Sequence, residues 1–360
     1  MAHNAKLNRA KDAKVDEFYT RREDIESELA HYESFFEGKT VYCNCDDPEI
    51  SEFWQFFRRV FKSWKLKRLI ATHYEPDTKN YAYMLDLIQD TNGDGMIDRK
   101  DEPIVTPLPC NGDFRSAACI ELLKQADIVV TNPPFSLFRE YIAQLIEYKK
   151  KFLILGALNA VKYKEIFPYI KRNEITLGFG PESGAAFYRI PNHLYDPKKV
   201  GSKDYTDENG NHWVRVNGVR WFTNLPIAIK KPFIDLRGNY YREGEFPRYY
   251  NYNAIDVSKV NEIPIDYDGK MGVPISLLDK YNPEQFEIIG VSNVNGLLDD
   301  VDEIGEKWMA DYKSSGGTGH ITSKMHSLVG YDSSGKPKSF YSRIVIRNKN
   351  PEPRRYPDED

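Results

Sequence analysis

An α/β fold, with a mainly parallel sheet covered by helices on both faces and a β-rich region appended after it, is what the sequence predicts. Three observations predict it. In the first half, short apolar runs alternate with helical stripes, the pattern of βαβ units. A polar or acidic residue follows each of those runs: Asp46 and Asp47, Glu75, Asp113 and Asn132. In parallel sheets ligands bind outside the carboxyl ends of the strands, so the pattern alone predicts that these residues meet on one edge. The second half changes character, with turn signals, short strands and a high content of Tyr, Asn and Pro.

The elements follow in order. Over residues 23–36, Ile25, Leu29, Tyr32 and Phe36 form a helical stripe. Thr40–Cys43 is a short β run, followed by Asp46-Asp47-Pro48 and an aromatic helix through Phe53, Trp54, Phe57 and Phe61. Lys67–Thr72 is the next strand, ending at His73-Tyr74-Glu75. After an interruption come a strand at 103–107, the loop Asn111-Gly112-Asp113-Phe114 and a helix over 117–125. Asp127–Thr131 reads as a buried strand closed by Asn132-Pro133-Pro134-Phe135. A helix over 137–149 and a strand over 152–156 complete the unit. Asn217-Gly218 between WVRV and VRWF predicts a hairpin, and Asn209-Gly210 another turn. Phe286–Val291 is a strand of the later region, and Gly316-Gly317-Thr318-Gly319 a flexible stretch.

Composition excludes several classes. The chain has 360 residues, 41% of them apolar, with 24 Tyr, 19 Phe and 5 Trp, which excludes wholesale disorder and leaves room for two domains. Fifty basic against 54 acidic residues give a charge of −4, which excludes a uniformly basic coat but not local basic patches. Cys43, Cys45, Cys110 and Cys119 form no disulfide framework and fit no usual zinc spacing; they read as reduced, buried thiols and point to the cytoplasm. The polar N-terminus lacks a signal-peptide core, and no run approaches the length of a membrane span.

The chemically informative segment is Asn132-Pro133-Pro134-Phe135. Two prolines after a buried strand fix φ and remove N–H donors, making a rigid turn that presents acceptors. Asn132 offers an amide oxygen, Pro133 a carbonyl and Phe135 a flat ring. Two acceptors and a stacking face suit an exocyclic amino group on a planar heterocycle. With the blocks DEFYT (16–20), VYCNCDDP (41–48), NGDFRS (111–116), ADIVVTNPPFSLFREY (126–141), RWFTNL (220–225) and MGVPISLLDKYNPEQFEIIG (271–290), the chain resembles the EcoRI-type adenine-specific (N6) DNA methyltransferases.

The resemblance implies a Rossmann-like fold that uses S-adenosylmethionine. It implies a catalytic domain over 1–230, with inserts at 90–102 and about 181–219, and a target-recognition region over 231–360. Asn132 and Pro133 would hold the amino group of a flipped adenine, Pro134 would stiffen the turn and Phe135 would stack on the base. The cofactor would lie against Phe18, Tyr19, Thr20, Asp46, Asp47 and Pro48, with Glu75 on its ribose and Asp113 and Phe114 on its adenine. The loop Cys43–Pro48 stands where most amino-methyltransferases carry a glycine-rich turn, a substitution the EcoRI type shares. The partner would be duplex DNA, bound by a monomer, for restriction protection beside a cognate endonuclease it does not touch, or for self-marking. RNA adenine, a protein glutamine amide, or a non-catalytic DNA-binding role are the alternatives.

Two further patterns carry expectations. Asp90, Asn92, Asp94, Met96, Asp98 and Asp101 occupy positions 1, 3, 5, 7, 9 and 12 of a calcium-type loop with Gly95 at its turn, predicting a structural Ca²⁺. Residues 58–68 hold six basic residues, read as a solvated helix face. The run Lys336, Lys338, Arg343, Arg347, Lys349, Arg354 and Arg355 reads as the better phosphate contact.

Overall fold

In a computed structural model of the protein, residues 19–45, 47–75, 82–181, 184–190, 195–197, 201, 203–226, 231–243, 246–332 and 334–353 are described. The chain divides into two units, Met1–Ile166 with Ile175–Ala228, and Phe167–Glu174 with Ile229–Asp360. Among the described residues no helix is long and apolar enough to cross a membrane.

The strands of the first unit are β1 (Tyr19–Thr20), β2 (Thr40–Cys43), β3 (Arg68–Thr72), β4 (Tyr83–Leu87), β5 (Ile104–Pro107), β6 (Ile128–Thr131), β7 (Lys151–Ala157), β8 (Thr176–Leu177), β9 (Ala185–Ile190), β10 (Tyr205–Thr206), β11 (His212–Asn217) and β12 (Val219–Thr223). Its helices are α1 (Arg22–Leu29), α2 (Glu52–Val60), α3 (Ala117–Gln125) and α4 (Phe138–Glu147). Among the described residues, eight strands form one sheet in the order β5-β4-β3-β2-β6-β7-β12-β8.

Strands β3, β2, β6 and β7 are parallel, and β4, β5, β12 and β8 join antiparallel. The sheet is therefore parallel at its centre rather than mainly parallel. The reason is connection length. Only residues 73–82 separate β3 from β4, too few for a crossover helix, so the chain must return antiparallel.

Period-two alternation explains why both faces are covered. Val41, Cys43, Leu69, Ala71, Ile128, Val130, Leu153, Leu155, Val219 and Trp221 join a core with Ile25 and Leu29 of α1 and Phe53, Trp54, Phe56 and Phe57 of α2. The intervening Tyr42, Ile70, Val129, Ile154 and Phe222 are buried as well, as strands covered on two faces require. The Ser51 hydroxyl accepts the Phe53 N–H at 3.2 Å and so caps α2. Each large apolar side chain buried there contributes about 1.5–3 kcal/mol. On the other face Phe138 of α4 meets Phe222 edge-on at 5.1 Å. Gly156 permits that approach, because a Cβ there would fall 2.5 Å from the Phe138 ring.

Of the basic residues of 58–68, Lys62, Lys65 and Lys67 are exposed, and the three arginines serve structure. Arg58 donates to the carbonyls of Arg99 and Asp101, and Arg59 bonds Glu26. Arg68 holds Asp86 in a bidentate pair at 2.8 and 2.6 Å.

The hairpin expected at Asn217-Gly218 is not formed. Strand β11 pairs with β9 and β10 in a separate sheet ordered β1-β9-β11-β10, whereas β12 pairs with β7 and β8. Gly218, at φ +74°, passes the chain from one sheet to the other. The hairpin lies earlier, where Asn209-Gly210 links β10 to β11 and Gly210 takes φ +77°. A two-residue turn signal specifies a reversal but not which strand completes the ladder.

The second unit contains α5 (Phe167–Lys171), α6 (Tyr240–Glu243), α7 (Glu306–Ser314), β13 (Ile255–Asp256), β14 (Met271–Pro274), β15 (Phe286–Val291), β16 (Val329–Tyr331), β17 (Pro337–Ser339) and β18 (Arg343–Asn348). Four strands form a sheet ordered β13-β14-β18-β15, and β16 pairs with β17. Tyr249, Tyr252, Ala254, Leu298, Leu328, Phe340 and Val345 form its core. Trp308 of α7 is fully buried and donates to the Gly330 carbonyl at 3.0 Å. Beside that core Asp256, 1% exposed, accepts from Arg343 Nε at 2.8 Å and the Tyr249 hydroxyl at 2.6 Å.

Candidate active site

Strand order locates the site. From β2 the chain moves to one side, to β3, and later returns to the other side of β2 as β6. Adjacent strands whose connections leave in opposite directions open a crevice at their carboxyl ends. Asn44 follows β2 there, and Asn132 follows β6.

The two strand ends are tied together by side chains. The Thr131 hydroxyl donates to the Asn44 carbonyl, and the buried Tyr141 hydroxyl of α4 donates to the Asn44 side-chain oxygen. Asn132 is 7% exposed. Pro133 is buried and Pro134 half-buried, and Pro134, at φ −56° and ψ 122°, leads into a single 3₁₀ turn over Phe135–Leu137. Phe135 is half-buried against the aromatic core of the unit, so part of its ring anchors the corner. The diproline corner thus has one end in the sheet and the other in the core.

The acidic side of the crevice is built around His73. Its Nδ1 lies 3.5 Å from Asp47 and its Nε2 3.7 Å from Glu75. The Tyr83 ring stacks on it with centroids 5.0 Å apart. Asp47 raises the imidazole above its ordinary pKa, with help from Glu75 and against a burial penalty. Burial disfavours ionised Asp47, but His73 and the Glu49 N–H outweigh it and hold that carboxyl below its usual value. Asp47 also starts the turn into α2, its carbonyl accepting from Ser51, and Pro48 is buried beside it.

The loop 111–114 docks on the same edge. The Glu75 N–H donates to the Asn111 carbonyl at 2.9 Å. Gly112 sits at φ +81°, and a Cβ on it would lie 2.1 Å from the His73 carbonyl oxygen. Only glycine allows that approach. Gly112→Ala is expected to cost about 1–3 kcal/mol and to weaken cofactor binding at least tenfold in calorimetric titration; unaltered affinity would detach this loop from the site. Asp113 is gripped by Arg115 at 2.9 and 2.7 Å, which lowers its pKa. Phe114 is 5% exposed and meets Tyr141 edge-on at 5.0 Å.

Tyr19 and Thr20 form β1, paired with β9. Thr20 is 2% exposed, and its hydroxyl has no hydrogen-bond partner among the described residues. Phe18 and Asp46 lie outside the described residues. Sequence reasoning left Asn44, His73 and Tyr141 without a role. Asn44 and Tyr141 stood inside recognised segments, but only contact between separate stretches of chain distinguishes them from spacers.

The calcium expectation finds no support in the structure. Asp90 accepts the N–H groups of Gly93 and Gly95, both at 2.7 Å; Asn92 accepts from Asp94, Asp94 from Met96 and Asp98 from Lys100. Asp101, fully buried, accepts from Thr91, Asn92 and Asp98. Among the described residues no group of acids, histidines or cysteines is arranged to hold a metal. Asp90, Asn92, Asp94, Met96, Asp98 and Asp101 thus form a self-capped turn, fastened to α2 by Arg58. After Asp101 the chain enters β5 instead of the helix that completes a calcium hand.

Residues 6–349 match the protein family described as "Adenine-specific methyltransferase EcoRI". The chain is 43% identical over 297 residues to the Type II methyltransferase M.EcoRI of Escherichia coli, covering 80% of this chain and 89% of that protein. It is 43% identical over 296 residues to M.MpnI of Mycoplasma pneumoniae, covering 81% and 88%. It is 39% identical over 296 residues to M.MgeORF184P of Mycoplasma genitalium, with the same coverage. Both of these are also named Type II methyltransferases.

Proposed function

The chain belongs to the EcoRI family of adenine-specific methyltransferases, and from that premise we propose that it methylates N6 of a flipped adenine in duplex DNA at the crevice between β2 and β6. The observation that carries this reading is the buried Asn132-Pro133 corner at the end of β6, tied to the end of β2 by the hydrogen bond from Thr131 to the Asn44 carbonyl. The parallel centre of the sheet and its order around the crevice support a Rossmann-like reading of the unit.

The residues present fit S-adenosylmethionine. Asp47 and Glu75 supply negative charge suited to a cationic ligand and to ribose hydroxyls. Gly112 lets the loop 111–114 close over that edge, and the buried Thr20 hydroxyl is available for a polar contact. When bound, the cofactor supplies an electrophilic methyl on a sulfonium. The remaining chemistry belongs to the chain. An adenine amino nitrogen is a weak nucleophile because its lone pair is delocalised into the ring. By accepting both of its N–H groups, the Asn132 side-chain oxygen and the Pro133 carbonyl draw it towards tetrahedral geometry and stabilise the positive charge it develops. The exposed part of Phe135 stacks on the base, and the rigid corner keeps nucleophile and methyl aligned. The base must leave the helix to reach the crevice, at about a few kcal/mol.

The second unit supplies the better phosphate surface. Between 313 and 345 stand Lys313, Lys324, Lys336, Lys338 and Arg343 against Asp332 alone. Asp332 is satisfied within its own turn, by Ser334 and Lys336. Arg343 is held by Asp256, and Arg347 pairs with Glu287. The exposed Lys336 and Lys338, near the 86% exposed Tyr341, remain for DNA. Arg354 and Arg355 lie outside the described residues. Replacing Lys336 and Lys338 by Gln is expected to reduce the salt slope of DNA binding by about 0.9 per lysine, measured by fluorescence anisotropy; an unchanged slope would count against this surface.

Incubation with labelled S-adenosylmethionine and DNA, RNA or a glutamine-bearing protein tests the whole reading. Label is expected in DNA as N6-methyladenine, and label confined to RNA or protein would overturn it.

A further inference from the structure

We propose that His73 is a titrating counter-charge that sets how strongly the cofactor pocket prefers the charged methyl donor over its uncharged product. This positioning role rests on the methyltransferase reading above. The geometry is specific: one imidazole, 19% exposed, lies between Asp47 and Glu75, with one of its nitrogens towards each, and the Tyr83 ring covers its face. Its backbone carbonyl abuts Gly112, so its position is fixed by three segments of chain.

The charge balance gives the direction. A sulfonium carries a positive charge that disappears on methyl transfer, so the pocket receives a cation and releases a neutral thioether. With His73 neutral, Asp47 and Glu75 present two negative charges and favour the cation. With His73 protonated, one of those charges is cancelled and the preference falls. Linkage is reciprocal, so the donor drives a proton off His73 more strongly than the product does. After transfer the imidazole would regain its proton and again cancel one of the two carboxylate charges.

The other groups around the imidazole do not compete for this role. Glu49 donates its N–H to Asp47. Burial, with the charges of Asp47 and Glu49, pushes the Tyr83 hydroxyl upward, so it stays neutral. On the neighbouring loop Asp113 is paired with Arg115, and Cys110 lies 3.2 Å from the Ser116 hydroxyl. Asp46, Asp77 and Lys79 lie outside the described residues. Because its two carboxylates raise the imidazole from its ordinary 6.5, the transition falls above that pH.

The test is calorimetric titration of S-adenosylmethionine and S-adenosylhomocysteine into the full-length protein from pH 6 to 9. The ratio of product to donor Kd is expected to rise with pH, on the order of fivefold. In buffers of different ionisation enthalpy, donor binding should release more protons than product binding near the midpoint. His73→Gln should still bind both ligands but keep only the part of the pH effect that arises from the ligands' own amines. Equal proton release by the two ligands in the wild type, or the full pH effect in His73→Gln, would overturn the proposal and leave the methyltransferase reading intact. Failure of both ligands to bind at every pH would overturn the cofactor reading and the proposal together.

Discussion

Replacement of Asn132 by alanine is expected to lower methyl transfer by about 10²–10³-fold, the cost of losing one preorganised polar group at a centre where charge develops. Cofactor and DNA affinity should change only a few-fold, because in the proposed reaction Asn132 acts on the reacting nitrogen. The side chain is 7% exposed at the end of β6, and the chain on either side is held by Thr131 and the diproline corner. Truncation should therefore leave the crevice standing. Asn132→Asp keeps an acceptor at the same place and should recover part of the rate. Single-turnover measurement of label transfer, with calorimetric cofactor affinity as the control, decides it. Turnover within a few-fold of wild type would remove Asn132 from the reaction.

The second large effect concerns stability. Arg343→Met should destabilise the protein by about 3–5 kcal/mol, because it strands the Asp256 charge in the interior of the second unit. Asp256 is 1% exposed, and with the guanidinium gone the Tyr249 hydroxyl and Ser258 would be its remaining side-chain donors. Such a loss is a large share of the 5–15 kcal/mol that holds a typical domain folded. Urea unfolding followed by circular dichroism would measure it. The double replacement Arg343→Met with Asp256→Leu should recover much of the loss, since removing both charges spares the desolvation of one. A single-variant loss below about 1 kcal/mol would mean that water reaches the pair.

Much of the first unit was legible because its rules are local. Thr40–Cys43, the helix over 117–125 and the strand ending at Thr131 announce themselves through short-range apolar spacing and the residues that stop them. Strand β4 was missed. It lies in a stretch read only as an interruption, and its partners β3 and β5 are contacts the spacing does not encode. The Asn217-Gly218 turn failed for the same reason. The calcium pattern is a different case: oxygens at the right spacing can converge on a cation or on the loop's own N–H groups, and spacing does not distinguish the two.

By itself the sequence determined the alternation of strands and helices around β2, β3, β6 and β7, the diproline corner and the family to which the chain belongs, because each is written in neighbouring residues. Tertiary structure alone decided that His73 would lie between Asp47 and Glu75, that Tyr141 would reach Asn44, and that Arg343 would neutralise Asp256 rather than face a phosphate. In each case the partners come from separate stretches of chain. Their charges and hydrogen bonds take effect only after the sheets have brought those stretches within a few ångströms and excluded the water that would otherwise satisfy them.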